Sequence, residues 1–211
     1  MPALAAVQLT GSPAPWARFG LTVGPDGTTI RVGSVECRFD VDSTSDPPGG
    51  ILALGLADLD VAVDADGLSF VPAAAGDPAP ASAHPCRASS IDHIVVMTSS
   101  LDRTCGAVEE AVGAPLKRVR EVGRGVRQGF HRLGEAILEV VETPQVTASH
   151  AEFWGLVFVV DDLDRWAAGF GDDLVSPPKD AVQPGRRISN VRVAAGLPCP
   201  VAFMSPDPRI R

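Results

Sequence analysis

The chain is 211 residues long and 45% hydrophobic, with 18 Lys plus Arg against 26 Asp plus Glu for a net charge of -8. That is enough for one large or two small domains with an ordinary buried core, and the acidic balance argues against nucleic acid or an anionic membrane surface as the main partner. The N-terminal MPALAAVQLT lacks the regions of a secretory signal, and no apolar run approaches the roughly 20 residues of a membrane helix, so a soluble cytoplasmic protein is expected.

In chain order, AVQLT is a short apolar segment, followed by SPAPWARFGL with Ser12 placed to cap a helix of little more than two turns. GPDG is a turn, and TTIRVGSVECRF alternates apolar and polar residues around Gly33 and Ser34 as a β-hairpin does. Residues 43–50, STSDPPGG, form a loop, and ILALGLADLD is a further apolar run ending in an acidic turn. From Pro72 to Ser90 the Pro, Ala and Ser content cannot sustain a regular element, which predicts a linker or surface-hugging crossover with His84 facing solvent. Cys37, Cys86, Cys105 and Cys199 lie far apart without metal-like spacing and read as reduced packing residues.

The stretch from Ser90 to Thr143 is the most informative. IDHIVVM is a strand pattern, and Ser99 or Ser100 caps the helix that follows, with Asp102 in a first turn where negative charge suits the helix dipole. Leu101, Cys105, Val108 and Val112 recur as one apolar stripe, and Gly113 ends it. PLKRVREV, GVRQGFHRL and EAILEVVE read as three successive strands, the last two joined tightly at Gly134-Glu135. After Pro144 the order repeats: FWGLVFVVDDLDRWAAGF is strand, capping Asp161, then a helix with Leu163, Trp166, Ala167 and Phe170 on its apolar face. Without gaps, IDHIVVMTSSLD (91–102) lies over FWGLVFVVDDLD (153–164), an offset of 62 residues, and ILALGLADLD looks like a third, reduced copy. The repeat predicts two βαβββ units, at 91–143 and 152–206, preceded by a reduced, degenerate unit within 1–71 and the linker at 72–90.

DHIVVMTSSLD followed by RQGFHRLGEAILEVVE, then WGLVFVVDDLD and the final PVAFMSP, resemble the vicinal oxygen chelate superfamily of glyoxalase, bleomycin-resistance and extradiol dioxygenase proteins. The match runs from about Ile91 to Pro206, slightly more than half the chain. The resemblance implies an α+β fold in which residues 91–211 form a glyoxalase-like domain, a cupped mixed sheet with helices on its outer face. It also implies a ligand pattern: metal-dependent members carry one ligand on the first and one on the fourth strand of each unit, where side chains of one parity converge on a divalent ion. Such an ion is a Lewis acid toward a substrate with adjacent oxygens. Carried over, His93 and Glu139 match the first unit's ligands for Zn, Mn, Fe, Ni or Mg, while Gly155 and Ala202 stand at the second unit's positions and offer no side-chain donor.

His93 and Glu139 are therefore the candidate catalytic and metal-ligating pair; the competing reading of His93 is a buried strand histidine bonded to a neighbour. A buried carboxylate is costly alone, so a Glu139 facing the cup requires a cation, a metal or a hydrogen-bond donor. If Gly134-Glu135 is a two-residue turn, residue 130 pairs with 139, so Gln128, Phe130 and Arg132 share the Glu139 face and His131 points away. His131 and His150 are the weaker candidates. Gln128, Arg132, Gln183 and Arg187 are the candidate polar contacts to substrate, with Arg186 beside them, and Met97, Trp154 and Met204 are candidate apolar lining. Three readings stay open: a metal-assisted isomerase, lyase or dioxygenase acting on an oxygenated or anionic metabolite; a metal-free protein that binds or sequesters a small molecule, as the bleomycin-resistance branch does; and a degenerate scaffold with no ligand. With both units in one chain, a cup can close within a monomer, and a homodimer stays open.

Overall fold

The structure, a computed structural model, describes residues 1–43 and 50–209; residues 44–49 of the expected 43–50 loop, and residues 210–211, lie outside the described residues. From the N-terminus come β1 (Ala3–Thr10), α1 (Ala14–Ala17), β2 (Thr29–Val32), β3 (Val35–Asp40), β4 (Ile51–Ala57), β5 (Val63–Ala65) and β6 (Leu68–Pro72). After the Pro- and Ala-rich segment follow β7 (Ala88–Thr98), α2 (Leu101–Val112), β8 (Leu116–Gly123), β9 (Val126–Leu133) and β10 (Ala136–Glu142). The chain continues through β11 (Glu152–Val160), α3 (Leu163–Ala167), β12 (Lys179–Asp180), β13 (Arg187–Asn190) and β14 (Val201–Met204). None of the described helices is long and apolar enough to cross a membrane.

The strands after residue 88 form one mixed sheet in the order β12-β13-β14-β11-β7-β10-β9-β8. β7 is parallel to β10, β11 is parallel to β14, and β7 and β11 are antiparallel, the connectivity of two βαβββ units joined at their first strands. The sequence repeat is written into this ladder. His93 pairs with Val157 and Val95 with Gly155, so moving every residue to its repeat partner exchanges the two pairs. The N-terminal strands make a second sheet, β2-β3-β1-β4-β6-β5, with β1 parallel to β3, β4 parallel to β6, and β1 antiparallel to β4. This is the same plan shortened twice, βαββ then βββ. ILALGLADLD begins the second shortened unit, where a tight acidic turn with Asp58 at φ 67 stands in place of a helix.

Local chemistry sets the helices. α2 starts at Ser100 with no side-chain cap from that serine; instead Leu101 N–H donates to Glu142 Oε2 at 2.6 Å, so the last strand of the unit caps the helix. Gly113, at φ 67, closes α2 as expected of a left-handed terminal residue. In α3 the cap is Asp162, accepting from Arg165 N–H at 3.0 Å, while Asp161 pairs with Arg87, one residue off the expected position. α1 is only one turn: Pro13 is its N-cap, and Gly20 at φ 84 turns the chain against Cys86.

The helix-bearing faces of the two sheets share one core. Trp16 meets Phe39 at 5.6 Å and Phe158 at 6.1 Å, Phe70 meets Phe153 at 6.0 Å, and Trp166 Nε1 donates to Phe19 O at 2.9 Å. All four cysteines are buried and free, and burial pushes the Cys37 and Cys105 thiols up to about 12. The opposite face of the N-terminal sheet is crossed by residues 73–79. Ala73 N–H donates to Leu56 O at 3.0 Å, Ala73 packs on Gly55, and Ala79 N–H donates to Gly33 O at 2.9 Å. His84 is not solvent-facing as expected: it is buried, with Nε2 donating to Arg31 O at 2.8 Å and Nδ1 accepting from Thr22 N–H at 3.0 Å. The crossover needs these anchors because a buried connection must satisfy its polar groups.

Candidate active site

On the face of the eight-stranded sheet turned away from the helices, register decides which side chains meet. Directly opposed residues share a face; Glu139 is opposite Phe130 and Val95, and Ile137 is opposite Arg132 and His93. His93, Glu139, Gln128, Phe130 and Arg132 therefore stand together. His131, opposite Leu138, is fully buried on the helix side, where Nδ1 donates to Ala114 O at 2.8 Å.

A chain of polar side chains crosses the centre of this face. Gln128 Nε2 donates to Glu139 Oε1 at 2.7 Å, and Glu139 Oε2 lies 3.4 Å from His93 Nε2. His93 Nδ1 donates to Asp92 Oδ2 at 2.8 Å, and Arg186 Nη1 reaches Asp92 Oδ1 at 2.6 Å. Arg186, 5% exposed, is also held by Ser205 O at 2.9 Å and Gln183 Oε1 at 3.1 Å. Asp92 joins its neighbour on one face through a bulge: β11 residues Val157 and Phe158 pair with His93 and Ile91, leaving Asp92 unpaired between them.

The two carboxyls are driven in opposite directions. Burial pushes the Glu139 carboxyl above its ordinary value and the nearby Asp92 charge adds to this, while His93 and Arg120 pull against it. Burial also raises Asp92, but the hydrogen bond from His93 and the charge of Arg186 outweigh it and hold Asp92 below the usual carboxylate range. Asp92 thus stays an anion and can only accept, so His93 carries its proton on Nδ1 and turns Nε2 toward Glu139. A carboxyl of raised proton affinity beside an oriented imidazole can take up and return a proton.

The remaining candidates are spread out. Met97, opposite Val141, lies on the same face, half-buried. Arg132 is exposed and donates to Glu135 O at 2.9 Å, short of Glu139. Gln183 touches the cluster only through Arg186. Arg187 lies on the helix side, paired with Asp164 and donating to Pro178 O at 2.9 Å, because Ile188 takes the open-face position of β13. Trp154 stands at the β11 bulge, 44% exposed, and His150 is exposed near Glu152.

No family model and no curated protein sequence matches the chain. Solved structures do match. A triple mutant of 4-hydroxymandelate synthase from Streptomyces coelicolor aligns over 97% of this chain and 92% of its own, with a TM-score of 0.63 at 16% identity. The chain has the vicinal oxygen chelate fold. Methylmalonyl-CoA epimerases from Mycobacterium tuberculosis and Streptomyces coelicolor cover 58% and 57% of the chain and 91% and 96% of their own, at TM-scores of 0.48 and 0.47 and identities of 14% and 19%.

Within a vicinal oxygen chelate cup, the repeat-related places of His93 and Glu139 are Gly155, opposite Val95, and Ala202, opposite Val157. A Cβ at Gly155 would lie 2.6 Å from Pro200 O, so a larger side chain there requires the backbone to move. Val157, Ala202 and Met204, with Ala181 and Ile188, make this half of the cup apolar. Among the described residues no three His, Cys, Asp or Glu side chains gather as a metal site. Two donors fall short of the roughly three protein ligands of a catalytic zinc, and one Glu139 oxygen is engaged by Gln128, so the residues do not fit a protein-held divalent ion. Sequence reasoning missed Asp92, which period-two parity assigns to the other face; Arg120 was legible only as one of the basic residues clustered from Lys117 to Arg132, a candidate anion site. Arg186 was legible only as one of two adjacent arginines.

Proposed function

We propose that the open face of the eight-stranded sheet binds a small oxygenated, anionic metabolite directly on side chains, with Glu139 and His93 exchanging a proton with it. The observation that carries this reading is the half-buried Glu139, of raised proton affinity, held between Gln128 and the Asp92-oriented His93. In its protonated form Glu139 donates to an oxygen of the bound molecule or to His93 Nε2; in its ionised form it accepts a proton, with the Gln128 amide donor steadying the charge. The polar first-unit half of the cup orients oxygens, and the apolar half formed by Val157, Ala202 and Met204 takes hydrocarbon. That apolar half also favours a second reading, in which the cup sequesters its ligand without chemistry.

A thermal-shift screen of small hydroxy and keto acids, with and without chelator, on wild type, Glu139→Gln and His93→Ala tests the proposal. The expected hit raises Tm equally with chelator present and loses most of its effect in both variants. A shift abolished by chelator, or unchanged in both variants, contradicts it.

A further inference from the structure

In a chain with 26 acidic residues against 18 Lys plus Arg, the buried and half-buried arginines mostly have a carboxylate partner, while exposed ones such as Arg18, Arg124 and Arg165 have none among the described residues. Arg31 and Arg38 share Glu36, Arg87 takes Asp161, Arg103 takes Asp66, and Arg186 and Arg187 take Asp92 and Asp164. The side chains of Arg118 and Arg120 have no hydrogen bond or ion pair among the described residues. Both stand on β8, opposite Phe130 and Gln128, which places them on the Glu139 face at the edge of the sheet. Arg118 is exposed and Arg120 half-buried, and the charge of Arg120 already acts on Glu139. Burying part of a guanidinium without a partner is unfavourable, so an anion supplied from solution gains what the protein withholds.

We propose that Arg118 and Arg120 are the anion subsite of this cup, clamping a carboxylate or phosphate of the ligand while a second oxygen of the same molecule reaches Glu139 and His93. Residues two apart on a strand are separated by about 7 Å, a span over which two guanidinium forks converge on one anionic group. Phe130, cross-strand from Arg118 and from Glu139, lies under the connecting carbons. The inference rests on the proposed use of this face and narrows its ligand to an acid whose anionic group is set apart from a hydroxyl or carbonyl oxygen.

The test is an NMR titration of isotope-labelled full-length protein, following the arginine Nε–H resonances and the amides around Glu139. The probes are inorganic phosphate, 4-hydroxybutanoate and the uncharged methyl ester of that acid. Phosphate and 4-hydroxybutanoate are expected to shift Arg118 and Arg120 saturably in wild type and in Glu139→Gln, more weakly as salt is added. The Arg118→Ala/Arg120→Ala double variant is expected to raise Kd about tenfold, and the ester to leave the arginines unmoved. Absent or non-saturating shifts, equal shifts with the ester, or an unchanged Kd in the double variant overturn the subsite. If 4-hydroxybutanoate moves the Glu139 surroundings but not the arginines, the subsite fails and the cup reading survives. Saturable arginine shifts with the Glu139 surroundings unmoved uphold the subsite and sink the proton-exchange reading.

Discussion

Glu139 is the residue on which most of the chemistry rests, and its burial has a thermodynamic signature. Below its ordinary value of 4.5 both folded and unfolded chains hold the proton. Above 4.5 the unfolded chain releases it first, so the folded state loses stability as pH rises until the raised folded value is passed. Glu139→Gln is expected to gain stability relative to wild type as pH rises from 4.5 toward neutrality, read from urea denaturation at a series of pH values; a gap that narrows over that range contradicts it. Asp92 behaves oppositely, contributing stability above its ordinary 3.8 that is lost as pH falls through its lowered folded value. The face shared by His93, Glu139 and Gln128 was legible because a two-residue turn and strand parity determine it. Asp92 was not, because one bulged residue reverses parity without leaving a mark in composition.

Among the elements, the tie between the two βαβββ units matters most. Arg186 precedes β13 in the second unit and holds Asp92 on β7 in the first, so the geometry of His93 depends on both. Removing either member leaves a buried charge unpaired. Arg186→Met and Asp92→Asn are each expected to cost about 3–5 kcal/mol in urea denaturation, with the double variant costing clearly less than their sum. Strict additivity would show that the pair is not coupled. Helix positions were readable from apolar spacing, but their caps were only partly so: α2 takes its cap from Glu142, distant in sequence, and α3 starts from the second of two adjacent aspartates. α1 was expected to be longer, and its two prolines and the Gly20 turn account for the single turn.

For the whole molecule, two sheets of one plan lie on a single core, yet they differ in what their other faces can do. Residues 73–79 cross the N-terminal face, and Ala6 and Ala53 beneath are buried, whereas the corresponding face of the larger sheet carries His93 and Glu139. The larger sheet was legible because its repeat is nearly full length. The smaller sheet was legible only as a fragment, since β5 and β6 are short and one of its helices is missing altogether.

The most direct measurement is a methyl-NMR map of a ligand found by the acid screen, using labelled Ile, Leu, Val and Met methyls. The structure predicts shifts at Val95, Met97, Ile137, Val157 and Met204, on the open face, with Val7, Leu9 and Ile30 in the core between the sheets unmoved. Shifts confined to the N-terminal sheet or the shared core, with the open face unmoved, would contradict the assignment of the cup as the binding site.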